Sequence, residues 1–156
     1  MRKTSAGILM FRRAGKKIEF LLVHPGGPFW KNKDLGSWTI PKGEPDHDVD
    51  LQQTAIREFQ EEIGLKPGGK FIELGSVKQK SGKLVHAWAV EGSLDAMKIK
   101  SNYFELEWPS HSGKSQSFPE IDKAEWFTSD KAKLKINPAQ IAFIDRLEEW
   151  VSSGVG

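Results

Sequence analysis

Glu58, Glu61 and Glu62 lie close together near the middle of the chain, directly after Arg57. A helix, which turns about 100° per residue, would place the three carboxylates within an arc of about 100° on one face. Like charges at this spacing cost about 0.2–0.5 kcal/mol per pair, a penalty that exposed helices tolerate. A hard cation such as Mg²⁺ or Mn²⁺ would turn the repulsion into coordination. A metal site and a solvated acidic face with Arg57 as counter-ion fit this helix equally well.

The segment before these glutamates favours the metal site. A strand-like run from Trp38 ends in a glycine turn at Gly43, which lies 14 residues before Arg57. This spacing resembles the signature of the Nudix hydrolase family, G-x5-E-x7-R-E-U-x-E-E-x-G-U, where U is aliphatic or bulky and apolar. Eight of its nine defined positions agree, and they are Gly43, Arg57, Glu58, Phe59, Glu61, Glu62, Gly64 and Leu65. The resemblance covers nearly the whole chain, including the leading hairpin and the closing strand and helix.

Val49 is the one departure, because it stands where the signature has its first glutamate. In the family that glutamate supports the loop, the arginine and, in some members, the proton chemistry. Asp48 and Asp50 flank the position and are candidates to replace it, although Asp50 is also placed to cap the helix. Impaired catalysis, with the domain acting as a nucleotide-binding sensor, is therefore the alternative to an active hydrolase.

The resemblance implies a metal-dependent pyrophosphohydrolase, in which water attacks phosphorus in a nucleoside diphosphate derivative. Mg²⁺ or Mn²⁺ would neutralise the pyrophosphate and orient the water. Carried over by position, Glu58 and Glu62 are metal ligands, Glu61 is a ligand or the partner of one, and the backbone carbonyl of Lys42 completes the site. Arg57 orients the glutamates, and Glu58 is also a candidate general base.

The resemblance also implies an acidic ligand or base on the loop before the strand that ends in Trp126 and Phe127. Glu120 is the first candidate and Glu125 the second. An ordinary exposed carboxylate explains Glu120 alone equally well.

Cationic and aromatic side chains are candidates for holding the substrate, although each cation alone is more typical of a solvated surface. The candidates for phosphate contacts are Lys42, Lys31, Lys33, His111 and Lys114, and those for stacking on a base are Trp30, Tyr103 and His86. The opening strands resemble the diadenosine polyphosphate hydrolase branch. The preferred substrates are dinucleoside polyphosphates or nucleoside triphosphates, and ADP-ribose and RNA 5′ ends are the alternatives.

The elements that must position these residues are readable from periodicity and end signals. Strands are predicted at 4–11, 18–23, 71–77, 84–90, 103–108 and 124–127, and a hairpin or lid at 101–118. Asp50 and Gly64 bound one helix with an apolar stripe, and Asn137 and Pro138 open another. The order predicts an α/β fold, a Nudix-type α/β/α sandwich with a mixed β-sheet between helices, as a single domain over residues 1–156.

Composition excludes several other classes of protein. The 156 residues include 23 Lys and Arg against 21 Asp and Glu, so no one-sided basic surface for duplex nucleic acid is predicted. No apolar run approaches the roughly 20 residues that cross a bilayer, and no cysteine is present for disulfides or thiolate metal sites. We expect a cytoplasmic protein, a monomer or homodimer, with a small nucleotide as its partner and no membrane contact.

Overall fold

The computed structural model describes residues 3–154. Its three α-helices are α1 Leu51–Ile63, α2 Ser129–Lys135 and α3 Ile141–Ser152. Its strands are β1 Thr4–Ala14, β2 Lys17–Pro25, β3 Lys42–Gly43, β4 Phe71–Lys78, β5 Leu84–Glu91, β6 Tyr103–Glu107, β7 Ser115–Pro119 and β8 Ile121–Thr128. No helix among these residues is long and apolar enough to cross a membrane.

The main sheet has six strands in the order β4-β5-β1-β2-β8, with the short β3 also paired to β1. β1 and β5 are parallel, and the other pairs are antiparallel. The apolar core is divided between the two faces, with Phe59 of α1 against one face and Phe143 of α3 against the other. The predicted mixed sheet between helices is confirmed.

Helix α1 begins and ends where its sequence predicts. Asp50 caps it by accepting a hydrogen bond from the backbone N–H of Gln53 at 2.9 Å. Gly64 ends it with φ of 90°, a left-handed conformation that glycine adopts without strain. Phe59 and Ile63 are buried against the sheet, and Glu58 and Glu62, one residue before each of them, therefore lie on the flank of the apolar stripe. The helix is therefore fixed in rotation by its apolar stripe.

Two elements differ from the sequence prediction, and a third confirms it. Asn137 caps a 3₁₀ turn at Pro138–Gln140, and α3 begins only after it. The short helix α2 follows β8 directly and was not predicted, because seven residues carry too little periodicity. β6 leaves the main sheet and pairs with β7 alone, which confirms the predicted hairpin.

Candidate active site

The acidic face of α1 meets the glycine turn at β3. Gly43 pairs with Ala6 of β1, so its backbone is held in the sheet while α1 lies beside it. A Cβ atom at Gly43 would fall 1.5 Å from Oε1 of Glu58. Only glycine leaves room for that carboxylate, which explains the residue type at the start of the signature.

Arg57 organises the acidic cluster, which we define as Glu58, Glu61, Glu62 and Glu120. Its Nη1 donates to Oε2 of Glu58 at 2.8 Å and to Oε2 of Glu61 at 3.0 Å. Its Nη2 donates to the backbone oxygen of Glu44 at 2.9 Å. One guanidinium therefore orients two carboxylates of α1 and fastens the preceding loop to the helix.

Asp48, next to the position of the missing glutamate, is the carboxylate that binds Arg57 from the loop. The Nε and Nη2 atoms of Arg57 donate to its two carboxylate oxygens at 3.0 and 2.8 Å, and Thr54 donates to it from the helix at 3.0 Å. These bonds, with the Arg57 contacts first, hold the pKa of Asp48 well below its usual range. Val49 is 92% exposed and turned to solvent, while Asp50 is used by the helix cap. The carboxylate is thus supplied from one residue earlier.

We expect Asp48→Asn to lower kcat by about 10-fold to 100-fold, because Arg57 would lose its bidentate partner and no longer fix the glutamates. Val49→Glu should change kcat by less than about twofold, as an exposed surface substitution does. Steady-state kinetics on the two variants test this pair of expectations. Asp46→Asn, an exposed carboxylate two residues away, is the matched control. A large gain from Val49→Glu would show that Asp48 does not compensate.

Burial and mutual repulsion disfavour the charged form of the carboxylates in the acidic cluster. Desolvation, followed by contact with the Glu61 carboxyl, raises the pKa of Glu58 to about 8 although Arg57 opposes the rise. Desolvation, followed by repulsion from Glu58, raises the pKa of the buried Glu62 well above its usual value. Burial, followed by repulsion from Glu61, raises the pKa of Glu120. The Glu120 carboxylate therefore lies close to the helix. Four carboxylates therefore lie close together, with the Arg57 guanidinium and the Lys42 ammonium as neighbouring positive charges.

This donor set fits a divalent cation. Within residues 3–154, no three acidic or histidine side chains already lie in a metal-ligating arrangement. Glu58 and Glu61 are both paired with Arg57. The acidic cluster nevertheless supplies hard oxygen donors. Added positive charge there would offset both the cost of burying charged carboxylates and their mutual repulsion. Such chemistry suits Mg²⁺ or Mn²⁺ better than softer metals.

Two backbone hydrogen bonds attach Glu120 to α1. The backbone N–H of Glu120 donates to the oxygen of Asn102 at 2.8 Å, and the N–H of Asn102 donates to the oxygen of Glu61 at 2.9 Å. Glu125, the second candidate, lies on β8 opposite Leu22 and is exposed. The structure thus brings Arg57, Glu58, Glu61, Glu62 and Glu120 together.

The second predicted group, the phosphate-binding and base-stacking residues, is more dispersed. Lys42 lies at the acidic cluster, where burial, followed by repulsion from Lys83, lowers the pKa of its ammonium. Tyr103 is 66% exposed and lines a cavity of about 340 Å³ together with Lys100 and Pro119, next to Glu120. A larger groove of about 660 Å³ lies elsewhere, between the β1–β2 turn and α3.

His86 and Lys114 are placed away from the acidic cluster. His86 lies across β1 from Gly43, about 10 Å away at two strand spacings, and its ring nitrogens contact Ser76 and Glu73 at 2.7 and 2.6 Å. Lys114 adjoins the β6–β7 turn, about 16 Å along the strand direction from Pro119. Their substrate contacts stay predictions.

Trp30, in the loop after β2, is 38% exposed, and the ammonium of Lys33 lies 5.1 Å from its ring centroid. Its face is thus already partly used by a cation. Stacking of a base on Trp30 also stays a prediction.

Asp48 and Lys83 are the site residues that sequence reasoning left without a firm role. Asp48 was one of two alternatives, and only the loop path decides between them. Lys83 lies in the β4–β5 turn, where its Nζ is 3.4 Å from Oε2 of Glu44 and its charge acts on Lys42. No local signal marks Lys83, because its neighbours come from a distant part of the chain.

Comparison with known proteins relates the chain to one family. The NUDIX domain family matches residues 1–147. An asymmetrical bis(5'-nucleosyl)-tetraphosphatase of Caenorhabditis elegans is 39% identical over 61 residues, which cover 39% of this chain and 40% of that protein. The Rattus norvegicus enzyme of the same name is 31% identical over 99 residues, 56% of this chain and 63% of that protein. The chain thus spans less than two thirds of the length of either relative.

Solved structures show the same fold at low sequence identity. The NUDIX domain of Shewanella oneidensis NrtR, crystallised with ADP-ribose, superposes with a TM-score of 0.68 at 16% identity, covering 97% of this chain and 89% of that one. A binary complex of C. elegans Ap4A hydrolase gives 0.67 at 22% identity, covering 96% and 98%. The family match, the glycine turn beside Glu58 and the Arg57 network agree, and the chain belongs to the Nudix family.

Proposed function

We propose that the protein is a divalent-metal-dependent pyrophosphohydrolase that cleaves a phosphoanhydride bond in a nucleoside diphosphate derivative. The observation that carries the proposal is the acidic cluster, whose buried carboxylates need a cation and whose geometry Arg57 sets. The partial identity to two asymmetrical tetraphosphatases supports dinucleoside polyphosphates, with nucleoside triphosphates next, as the preferred substrates.

The residues of the site have different proposed roles, which follow from their positions. Glu58, Glu62, Glu61 and Glu120 would hold Mg²⁺ or Mn²⁺, with the backbone carbonyl of Lys42 as a further donor. When bound, the metal supplies charge neutralisation of the pyrophosphate and activation of water. Arg57 keeps Glu58 and Glu61 oriented, and Glu58, Glu61 and Glu120 are the candidates to accept a proton from the attacking water.

Cationic groups beside the acidic cluster suit a substrate with several phosphates. Lys42 and Lys83 lie close enough for each ammonium to oppose the charge of the other, and Glu44 offsets them only in part. A phosphate bound between them would remove this repulsion. Tyr103, at its cavity beside Glu120, is the best-placed aromatic side chain for a base.

A substrate panel with product identification tests the proposal. The panel holds a dinucleoside tetraphosphate, ATP, ADP-ribose and a 5′-triphosphorylated RNA, each with Mg²⁺, with Mn²⁺ and with a chelator. We expect metal-dependent cleavage that is fastest on the dinucleoside tetraphosphate. Equal rates with and without chelator would overturn the metal dependence, and faster cleavage of ADP-ribose would overturn the substrate class.

A nucleotide sensor without turnover is the second candidate, favoured by Val49 at the signature's first glutamate. The Asp48–Arg57 pair ranks it lower, because the function of that glutamate is supplied. Tight nucleotide binding with no cleavage across the panel would support the sensor. A single domain over residues 1–156, the monomer or homodimer state and a cytoplasmic location stay predictions.

Stability without metal is expected to fall as the pH rises. Glu58 titrates near pH 8 in the folded protein and near its ordinary value when unfolded, and burial raises the pKa of Glu62 and Glu120 in the same direction. Between these limits the folded protein binds protons that the unfolded chain releases, so stability is lost through this window.

A bound divalent cation replaces those protons. We therefore expect Mn²⁺ to raise Tm more at about pH 8.5 than at about pH 6. Differential scanning calorimetry with Mn²⁺ and with chelator measures the difference. A Tm gain that is equal at both pH values would contradict coordination by the acidic cluster.

A further inference from the structure

His24 is a buried polar side chain outside the acidic cluster. It lies near the end of β2 and is 1% exposed, with its ring against Trp38 at 5.3 Å between ring centroids. Nδ1 is 2.9 Å from Oδ1 of Asp122, and Nε2 is 2.7 Å from the backbone oxygen of Lys33. Both ring nitrogens are therefore engaged, with two segments that are distant in sequence.

The two partners of His24 are both hydrogen-bond acceptors. A neutral imidazole has one N–H and can donate to only one of them, whereas a ring carrying both protons donates to both. An apolar side chain of the same shape would make neither bond. The imidazole thus connects segments that would otherwise be joined only by backbone contacts.

One of these segments is the loop 26–37, which contains Lys33. The other contains Asp122 and also carries Glu120. Gly26, two residues after His24, donates its backbone N–H to the oxygen of Glu120 at 2.8 Å. A Cβ at Gly26 would fall 2.0 Å from the backbone oxygen of Pro119, so the two backbones are in direct contact. The His24–Asp122 bond lies next to this backbone contact and holds the same segment through side chains.

A continuous series of bonds then leads to α1. Gly26 bonds Glu120, Glu120 bonds Asn102, and Asn102 bonds Glu61, all through backbone atoms. The position of Glu120 against the helix is therefore set at one end by Asn102 and at the other by the start of β8, where β2 pairs with β8 and the His24 side chain bonds Asp122.

We propose that His24 is a positioning residue, which ties the loop 26–37 to Asp122 and thereby fixes the Glu120 carboxylate against the glutamates of α1. The inference rests on the proposed function, because it assigns Glu120 to the metal-binding site. It adds a residue that lies outside the Nudix signature and acts through Glu120 alone.

Amide hydrogen exchange tests the positioning without any turnover. In His24→Phe, the amides of Gly26 and Glu120 should exchange about 10-fold faster or more, while amides within α1 keep their wild-type rates. His24→Gln retains one donor and should give a smaller increase, and it serves if the phenylalanine variant folds poorly. His47→Gln, which changes a histidine with a 97% exposed side chain, is the matched control. Unchanged exchange at Gly26 and Glu120 would overturn the proposal.

A double-variant cycle with Glu120→Gln tests the route of the effect. His24→Phe alone should weaken Mn²⁺ binding and kcat by about 10-fold to 100-fold. In the Glu120→Gln background it should add less than about twofold, because no carboxylate remains to be positioned. Independent, multiplicative effects would overturn the proposal and leave His24 a general structural residue. If the wild type neither binds Mn²⁺ nor cleaves the panel, the proposed function fails, and amide exchange still decides whether His24 fixes Glu120.

Discussion

Replacing Glu62 by glutamine is expected to abolish metal-dependent hydrolysis while leaving the fold intact. Glu62 is the most buried member of the acidic cluster, at 6% exposure, and burial, followed by repulsion from Glu58, raises the pKa of its carboxyl although Lys42 of the glycine turn opposes the rise. Glutamine has the same shape but carries no charge for a cation. A loss of about 4 kcal/mol in transition-state stabilisation corresponds to about a thousandfold in kcat.

The thermal stability of this variant without metal should be kept or raised, whereas its activity is lost. Burial raises the pKa of Glu62, so the charged carboxylate is unfavourable in the folded protein without metal. Glu62→Gln should therefore have a metal-free Tm at about pH 8 equal to or above that of the wild type. The Tm gain on adding Mn²⁺ should be lost. Activity and stability together separate a missing ligand from a damaged fold.

Glu149→Gln is the matched control, because Glu149 lies exposed on α3 on the other face of the sheet. It should keep wild-type kcat and the wild-type response to Mn²⁺. Near-normal turnover by Glu62→Gln, with this control also normal, would remove Glu62 from the metal-binding site and with it the proposed arrangement.

The acidic face of α1 could be predicted from sequence because a helix imposes its own geometry. Phe59 and Ile63 fix which side of the helix faces the sheet, and helical spacing then places Glu58, Glu61 and Glu62 together on the adjoining face. The cap at Asp50 and the stop at Gly64 follow from the same local rules. Such features depend on residues within one or two turns, so the sequence alone carries them.

The pairing of Arg57 with Asp48, rather than with Asp50 on the other side of Val49, could not be predicted in the same way. Both candidates beside Val49 have the same chemistry, and only the path of the loop places one against Arg57. Lys83 and His24 are further cases, since their partners lie 39 and 98 residues away in the chain. Contacts of this kind depend on strand order and register, which local patterns do not specify.

Lys114 shows that sequence proximity does not fix distance in space. Its segment was correctly predicted as a hairpin next to Glu120, but the sequence gives no measure of which end of the hairpin is near the site. Tyr103 and Pro119 form the pair of the hairpin that is farthest from the turn. Tyr103 therefore lies beside the candidate site, while Lys114 lies at the far end.

Gly43→Ala is expected to disable the site by displacing one carboxylate. The added Cβ would fall 1.5 Å from Oε1, 2.1 Å from Cδ and 2.7 Å from Cγ of Glu58, so that side chain must move. Because the clash is with the end of a flexible side chain, the fold should persist. A displacement of about 1 Å at a reacting centre costs about 100-fold, and we expect a fall in kcat of at least that size.

The structure offers a matched glycine and a compensating change for this prediction. A Cβ at Gly68 would meet no atom within 4 Å, so Gly68→Ala should leave kcat and Mn²⁺ affinity unchanged. Glu58→Asp shortens the displaced side chain by one methylene, and in combination with Gly43→Ala it should recover part of the Mn²⁺ affinity. Kinetics and calorimetric Mn²⁺ titrations measure both quantities. Full activity of Gly43→Ala would mean that Glu58 does not work from the position beside the turn, and the remaining carboxylates of the acidic cluster would then have to bind the metal without it.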